Sequence, residues 1–333
     1  KFLGIPREPE VELVVKHLLY CSKENIPSNP AILTFLAQNS SDSCISLLNE
    51  KPCLYLRFES GEQQYFRPDQ VFWEQHPFGK YRFRLGPEFG EFKPLFDRLR
   101  VKTQPDAYDA IKVLLEISSS PIAQSNTPIE SPSELEQVII STWKLLGECL
   151  DRGEMKSIVL KKELGSKKTI TNAKKLLDKP ERLFFEDRPG WGENFEVVKH
   201  NLVPRVEGAW LAMEAAGVQR ISDAISTEIH ECINSRIDPD FTKRLSERRT
   251  LIQRVIDAYT AKGIKGFNLS ALDMLEFETA EKIVIIRTFH GFGRSETIKQ
   301  DVDAIYITGL LHYKKNDLDY PWLDIARELT YVL

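Results

Sequence analysis

Residues 99–115 read LRVKTQPDAYDAIKVLL, and they repeat a pattern that first occurs at residues 3–19, LGIPREPEVELVVKHLL. In each stretch a Leu-x-Val/Ile triplet lies four residues ahead of a proline, and apolar residues then recur at helical spacing. Either one module is used twice, 96 residues apart, or two unrelated helices begin alike. The shared triplet and proline favour the repeat. A weaker third copy, without the proline, begins at Ala216-Gly217-Val218.

The sequence between the two copies predicts small β-sheets. Residues 53–58 and 64–66 flank a Ser-Gly pair, which is typical of a β-hairpin turn. Residues 81–85 alternate between apolar and basic side chains. We therefore expect a half-buried strand in which Phe83 faces the core and Arg82 faces solvent.

Beyond the second copy the pattern changes from helix to strand and back. A long predicted helix is capped by Ser131, has Pro132 in its first turn and ends near Gly153. The other predicted helices are a short one at 194–200, one polar helix at 240–262 and a closing helix from Trp322. The predicted strands lie at 157–160, 283–287 and 304–308.

Together these elements predict a helix-rich, mixed α+β fold with short antiparallel sheets and an internal repeat. The Ser- and Pro-rich residues 121–133 are typical of a linker between two or three small modules. We expect the first repeat module over residues 1–120, the linker over 121–133, a second helix-rich module over 134–237, and a helix with a small β-containing module over 238–333.

The composition excludes several classes of protein. Of the 333 residues 42% are apolar and 10% aromatic, which supports packed cores and argues against a disordered chain. The 45 basic and 49 acidic residues give a net charge of -4, so binding to nucleic acid or anionic lipid requires local patches. No apolar run approaches the ~20 residues of a membrane helix.

The five cysteines are scattered and form no CxxC pair, which indicates reduced thiols in a cytoplasmic protein. The sequence begins at Lys1 and stops at Leu333 within an apparent helix. We therefore expect an excerpt from a longer polypeptide.

Catalytic motifs are incomplete. The Gly165-Ser-Lys-Lys-Thr stretch lacks the adjacent Gly-Lys-Ser/Thr of a phosphate-binding loop. His230-Glu231 lacks the second histidine of a zinc protease, and Glu276 and Glu278 lack a nuclease lysine at the required spacing. Asp238-Pro239-Asp240 is more typical of a helix cap than of metal ligands. The sequence predicts no catalytic, cofactor-binding or metal-ligating residue, although a site assembled only by folding stays open.

Two basic groups are the candidate binding surfaces. Between Lys156 and Arg182 nine basic residues stand against three acidic ones, and a second group lies within residues 243–254. Such side chains neutralise phosphates and can equally contact acidic proteins, whereas lysine runs are also common on plain solvated faces. The candidate contacts with nucleic acid or an acidic partner are Lys161, Lys162, Lys167, Lys168, Lys174, Lys175, Arg244, Arg248 and Arg249.

Short motifs along most of the chain resemble sacsin-like proteins. They are Leu3-Gly4-Ile5 with Pro9, Leu54-Tyr55-Leu56, Arg67-Pro68 ahead of Val71-Phe72-Trp73, Phe184-Phe185-Glu186-Asp187-Arg188-Pro189, and Gly208-Ala209-Trp210. The closing Trp322 with Ala326-Arg327-Glu328-Leu329 resembles the segment that precedes the C-terminal domain in bacterial relatives of the plant protein No Vein.

The resemblance implies a large, chaperone-like, multidomain protein with a GHKL-type (heat-shock-protein-90-like) ATPase domain elsewhere in its chain. ATP and Mg²⁺ are therefore expected only in that separate domain. The Asp-x-Gly-x-Gly turn and glycine-rich lid of a GHKL site do not occur in these 333 residues. Some bacterial members end in a nuclease-like domain and are thought to act in defence against phage.

Three functions remain open. The first is a non-catalytic interaction and coupling module, whose partners are other domains of the same polypeptide and client proteins. The second is a nucleic-acid-binding segment of a defence or repair nuclease. The third is a hydrolase whose site is assembled only in the fold.

Overall fold

The computed structural model describes residues 9–58, 60–125, 127–129, 133–188, 190–203, 206–261, 270, 274–315 and 320–330. The chain divides into two compact units, residues 1–185 with 200–219 and residues 186–199 with 220–333. The start of the first sequence repeat at Leu3 and the predicted cap at Ser131 lie outside the described residues. Within the described ranges no helix is long and apolar enough to cross a membrane.

The first unit contains two successive arrays of helices and short strands. Its helices are α1 Val11–Lys23, α2 Ala31–Asn39, α3 Asp42–Leu48, α4 Lys93–Arg98, α5 Ala107–Ser118, α6 Pro121–Ser125, α7 Glu134–Asp151, α8 Ser157–Leu164 and α9 Trp210–Ala216. Its strands are β1 Leu54–Arg57, β2 Gln63–Phe66, β3 Val71–Phe72, β4 Phe83–Arg84, β5 Ile170–Thr171, β6 Leu177–Asp178, β7 Phe184–Phe185 and β8 Leu202–Val203, and β9 Gln219–Arg220 follows where the unit ends.

The two arrays repeat one another in element order, so we call residues 9–103 module 1 and residues 105–185 with 200–219 module 2. In each module a first helix packs on two later helices: α1 on α2 and α3, and α5 on α7 and α8. An antiparallel hairpin follows, β1–β2 or β5–β6. A short 3-10 turn then begins with a buried proline, Pro68 or Pro180, and leads into a parallel strand pair, β3–β4 or β7–β8.

The buried faces of the first helices coincide as the sequence repeat predicts. Val15, Leu18 and Cys21 are buried on α1, and the residues 96 positions later, at 111, 114 and 117, are buried on α5. The repeated prolines lie one position before the N-cap residues Glu10 and Asp106 rather than in the first helical turn. The predicted repeat of the helix start is therefore present in the structure.

A parallel strand pair forces its connecting chain to run back along the full length of the strands. In module 1 that connection is residues 73–82, and it leaves the module 1 sheet to pack against module 2. Phe78 on this loop and Phe72 at its base are fully buried among apolar side chains of α5 and α7. The connection after β7 begins with residues 186–199, which belong to the second unit.

Arg82 ends the connecting loop and is buried, which contradicts the prediction that it faces solvent. Its guanidinium donates two hydrogen bonds of 2.9 Å to the carboxylate of Glu116 on α5 and one of 2.6 Å to the Tyr81 carbonyl. Its side chain is 1% exposed. Phe83 is buried in the module 1 core, as predicted. The alternating pattern identified the buried side of Phe83, but module 2 covers Arg82, while Arg84 two residues later is exposed.

The predicted linker at 121–133 contains ordered structure where the chain is described. Residues 121–125 form α6, and Ala123 and Ile129 are buried in the module 2 core. Ser and Pro mark the ends of helices here as often as they mark linkers. Ser133 caps α7 by accepting a hydrogen bond from the amide of Glu136. The helix ends at Asp151, close to the predicted Gly153.

Three other predicted elements differ from the structure. Residues 157–160 belong to a helix, α8, because Leu160 and Leu164 share one buried face four residues apart. Residues 194–200 form turns instead of a helix. The predicted helix over 240–262 is divided near Arg248 into two helices.

The second unit is built on two sheets. Its helices are α10 Ile221–Ala224, α11 Pro239–Glu247, α12 Arg249–Ala261 and α13 Trp322–Thr330, and its further strands are β10 Ile225–Ile233, β11 Arg236–Ile237, β12 Glu276–Ala280, β13 Lys282–Gly291, β14 Arg294–Asp301, β15 Ala304–Ile307 and β16 Leu310–Lys314. One sheet has the strand order β10-β13-β14, and the other has the order β11-β12-β16-β15.

A two-residue turn at Phe292-Gly293 joins β13 to β14. Phe292 and Gly293 both have positive φ, 54° and 70°, which matches the type I′ turn that suits the twist of a hairpin. The closing helix α13 packs on β15 and β16, with Ile325 and Glu328 buried. The described chain is thus mixed α+β with short sheets, and the small parallel pairs are the feature that the sequence did not predict.

The ion pair of Arg82 provides a test of the module junction. Glu116→Ala leaves the buried guanidinium without its carboxylate, so we expect the free energy of unfolding to fall by about 3–5 kcal/mol. Lys80→Ala changes an exposed residue of the same loop and is expected to stay within about 0.5 kcal/mol of wild type. Urea denaturation of the three proteins measures both effects, and equal losses would contradict the burial of the Arg82 guanidinium.

The repeat also makes Arg100 and Gly217 equivalent, since each follows the last helix of its module with positive φ, 59° and 120°. Gly217→Ala introduces a Cβ in that conformation and is expected to cost about 1–2 kcal/mol. Arg100→Gly relieves the same strain and adds unfolded-state entropy, so its stability stays within about 1 kcal/mol of wild type. Thermal unfolding compares the two, and a larger loss for Arg100→Gly would contradict their equivalence.

Candidate functional site

The first basic group lies in module 2 and does not form one free surface. Lys161 and Lys162 on α8 are exposed, as are Lys167 and Lys174. Lys168 Nζ instead donates to the Ala123 carbonyl at 2.9 Å. Lys175 Nζ lies 2.8 Å from a carboxylate oxygen of Glu136 at the start of α7. Two of the six predicted lysines are therefore engaged in holding the fold.

The second basic group belongs to the other unit. Arg244 lies on α11, Arg248 ends that helix, and Arg249 begins α12; all three are exposed. The guanidinium of Arg244 lies over the ring of Tyr320 at 5.9 Å. The structure places the two groups in separate units.

A cleft of about 670 Å³ opens at the junction of modules 1 and 2, and we take it as the candidate functional site. The β1–β2 hairpin forms one wall, the 73–82 loop with β4 forms the second, and Glu134 at the start of α7 closes the third. Arg82, which is paired with Glu116, also lines this cleft. The site therefore lies at the contact between module 1 and module 2.

Charged side chains of both signs line the cleft. Arg57, Lys80 and Arg84 are exposed, and within the described ranges none of them forms an ion pair. Glu62, Glu88 and Glu134 also line it. The buried floor includes Phe83 and Leu85. Mixed charges around an apolar floor are suited to binding another polypeptide segment through noncovalent contacts.

His76 also lines this cleft, and histidine is the residue type that most often acts as a general acid or base in catalysis. Burial, together with the positive charge of Arg82, lowers the pKa of His76 to about 4. Its ring stacks on Phe78 at 5.7 Å and accepts a hydrogen bond from the Phe78 amide at Nδ1. At neutral pH this histidine is uncharged and held by packing, which is a structural role.

The incomplete catalytic motifs of the sequence lie at a helix end, on a strand and at a helix cap. Gly165 follows α8 at its C-terminus. His230 and Glu231 lie on strand β10, at a β-bulge rather than on a helix. Asp238 is the N-cap of α11 and accepts a hydrogen bond of 3.0 Å from the Phe241 amide, so the predicted cap is confirmed.

One group of metal-ligating side chains that the sequence did not predict comes together in the second unit. Cys232 of β10, Glu278 of β12 and His312 of β16 bring one ligand atom each to within 4.8 Å of one another. His312 Nδ1 lies 2.9 Å from Glu278 Oε2 and 3.9 Å from Cys232 Sγ. Burial lowers the pKa of His312, and both burial and the charge of Glu278 raise the pKa of the Cys232 thiol.

This group was invisible to motif analysis because its members lie on three different strands. Cys232 and His312 are 80 residues apart in sequence. Only the pairing of β12 with β16 sets Glu278 directly beside His312. No spacing rule for a single helix or loop describes such a set.

Comparison of the chain with protein-family models, with curated proteins and with solved structures found no match.

Asp238 gives a pH-dependent prediction. Burial raises its pKa, but hydrogen bonds from the Tyr313 hydroxyl, the Phe241 amide and the Lys315 ammonium outweigh it, so the pKa lies below its ordinary value. A lowered folded pKa adds stability that is complete above the unfolded value of about 3.9 and is lost as the pH falls through the folded value. Asp238→Asn removes this titration.

We expect wild type to exceed Asp238→Asn in free energy of unfolding by the largest margin at neutral pH, with the margin shrinking as the pH falls below about 4. Urea denaturation across that range measures it. Asp240→Asn, on the exposed side of the same turn, should remain within about 0.5 kcal/mol of wild type. A margin that grew on acidification would contradict the assigned sign.

Proposed function

We propose that this chain is a non-catalytic interaction and coupling module of a larger, chaperone-like protein of the sacsin-like type. One motif on which that resemblance rests, Arg67-Pro68 ahead of Val71-Phe72, has a structural counterpart in module 2. Lys179-Pro180 ahead of Leu183-Phe184 lies at the same 3-10 turn and at the parallel strand that follows it. A repeated module of this kind supports an architecture of linked units in a long polypeptide. The ATPase domain, with its ATP and Mg²⁺, belongs in this proposal to another part of that protein.

The junction between the modules is the observation that carries the proposal. Phe72 and Phe78 from module 1 are buried in the module 2 core, and Arg82 is paired with Glu116 in the same contact. A second tie runs from Lys102 Nζ to the carboxylates of Asp106 and Asp109, each at 2.8 Å, at the start of α5. A displacement of one module is therefore passed to the other, which is what a coupling element must do.

The cleft at the same junction supports an interaction role. A partner segment bound there contacts both modules and the loop that fastens them, so binding and the module arrangement affect each other. Its lining offers exposed charges of both signs, while His76 is uncharged and packed. These features favour recognition of a polypeptide over chemical catalysis at this position.

Nucleic-acid binding is the alternative function, and the exposed residues that favour it are Lys161, Lys162, Lys167, Lys174, Arg244, Arg248 and Arg249. Lys168 and Lys175 argue against it because their ammonium groups are engaged by the Ala123 carbonyl and the Glu136 carboxylate. The third candidate function is hydrolysis at a site assembled by folding. It depends on the group of Cys232, Glu278 and His312.

Two measurements on the purified chain, nucleic-acid binding and hydrogen exchange, test the coupling role against nucleic-acid binding. We expect no salt-dependent binding to labelled single- or double-stranded DNA or RNA between about 50 and 200 mM salt. Binding that is lost in Lys161→Glu/Lys162→Glu/Lys167→Glu, and retained in the matched variant Arg57→Glu/Lys80→Glu/Arg84→Glu, would establish the alternative function instead.

Hydrogen exchange tests the coupling itself. Glu116→Gln weakens the ion pair from the module 2 side, and we expect exchange to rise about tenfold or more both in residues 76–82 and in α5, since a tenfold change corresponds to about 1.4 kcal/mol of local opening. Lys80→Ala is the control and leaves both regions unchanged. A rise confined to the loop would show that the modules open independently and would contradict coupling.

A further inference from the structure

We propose that Cys232, Glu278 and His312 form a binding site for a Zn²⁺-class divalent cation that links the two sheets of the second unit. This proposal rests on the second unit alone and is independent of the function proposed above. The three side chains come from β10 in one sheet and from β12 and β16 in the other.

The geometry of the ligand atoms fits one small cation. With zinc bonds of about 2.0–2.3 Å, tetrahedral ligand atoms lie about 3.3–3.8 Å apart. Here the histidine nitrogen is 2.9 Å from the carboxylate oxygen and 3.9 Å from the thiol sulfur, and all three atoms lie within 4.8 Å of one another. Shifts of less than about one ångström bring them to zinc distances.

The same geometry argues against a nucleophile relay. In a Cys-His-acid triad the two ring nitrogens face different partners, one the nucleophile and one the carboxylate. In this protein Nδ1 of His312 is the atom nearest to both Cys232 and Glu278. Three ligand atoms that converge on one point describe a cation site instead.

The choice of donors selects the kind of cation. A thiolate and an imidazole suit Zn²⁺ and similar transition metals, whereas Ca²⁺ and Mg²⁺ require oxygen ligands. His312 is paired directly across β16 and β12 from Glu278, so sheet hydrogen bonding holds two of the ligands in register. Cys232 packs on the apolar cluster of Ala280, Ile283, Ile285 and Ile305, which positions the third.

The set leaves a fourth coordination position for water or a partner's ligand. The His312 side chain is 9% exposed and that of Glu278 is 20% exposed, while Cys232 is half-buried. Three protein ligands with a remaining position are typical of metal sites that accept a further ligand. A bound cation would also hold the two sheets together, since its ligands come from both.

The test uses the whole chain, freed of metal with EDTA and then titrated with Zn²⁺ in a calorimeter. We expect one saturable site and a rise in melting temperature with bound Zn²⁺, because a ligand of the native state stabilises it. Co²⁺ in place of Zn²⁺ should give a thiolate-to-cobalt charge-transfer band. The absence of saturable binding up to about 1 mM Zn²⁺ would overturn the proposal.

Variants locate the site. Cys232→Ser is expected to weaken Zn²⁺ binding about 100-fold or more and to abolish the charge-transfer band. Loss of a residue that only hydrogen-bonds to a metal ligand already lowers metal affinity about 10–100-fold, and loss of a ligand should lower it at least as much. Glu278→Gln should weaken binding with the thiolate band retained, a readout that does not depend on stability.

The matched control is Cys21→Ser. Cys21 Sγ lies 3.5 Å from His17 Nε2 on α1, so it is a cysteine beside a histidine outside the proposed cation site. Zn²⁺ affinity and the cobalt spectrum should be unchanged in this variant. Loss of binding in Cys21→Ser with retention in Cys232→Ser would overturn the assignment, and circular dichroism confirms that each variant is folded.

Discussion

The ion pair between Arg82 and Glu116 crosses the junction of the two modules, and the assembly of the first unit depends on it. A guanidinium that is 1% exposed needs a carboxylate in bidentate contact, because an unpaired buried charge is strongly destabilising. The pair therefore requires loop 73–82 and helix α5 to be in one relative position. Phe72 and Phe78 add apolar burial in the same contact, and the ion pair fixes the position of the loop relative to α5.

The loop that carries this pair exists because of a topological constraint. Strands β3 and β4 are parallel and adjacent, so the chain between them must return along the sheet, and that return segment projects away from the module that produces it. The repeat in module 2 has the same parallel pair, β7 and β8. Module 1 thus combines a small core of its own with a segment that packs against module 2, which is a simple basis for linking repeated units.

The second unit follows a different principle. Its two sheets bring together residues that are distant in sequence, as in the contact of Tyr313 with Asp238 and in the group of Cys232, Glu278 and His312. The Tyr313 hydroxyl donates a hydrogen bond of 2.7 Å to Asp238, and burial raises the Tyr313 pKa. In this unit strand pairing sets Glu278 beside His312, whereas the contact of Arg82 with Glu116 at the module junction is made by a loop.

The sequence by itself determined the elements whose causes are local. The helix repeat of α1 and α5, the cap at Asp238 and the hairpin before Pro68 all follow from spacing, capping side chains and turn residues within a short window. The mixed α+β class follows from their alternation along the chain.

Only the tertiary structure decided what covers each face. Arg82 has the pattern of an exposed strand residue, and its burial depends on α5, which follows it by more than twenty residues. Residues 157–160 have strand-like composition and form a helix because Leu160 and Leu164 pack on one core. The Cys232 group depends on the pairing of β12 with β16, and no local pattern encodes that pairing. Period and propensity specify local geometry, whereas burial and side-chain convergence are properties of the whole packed chain.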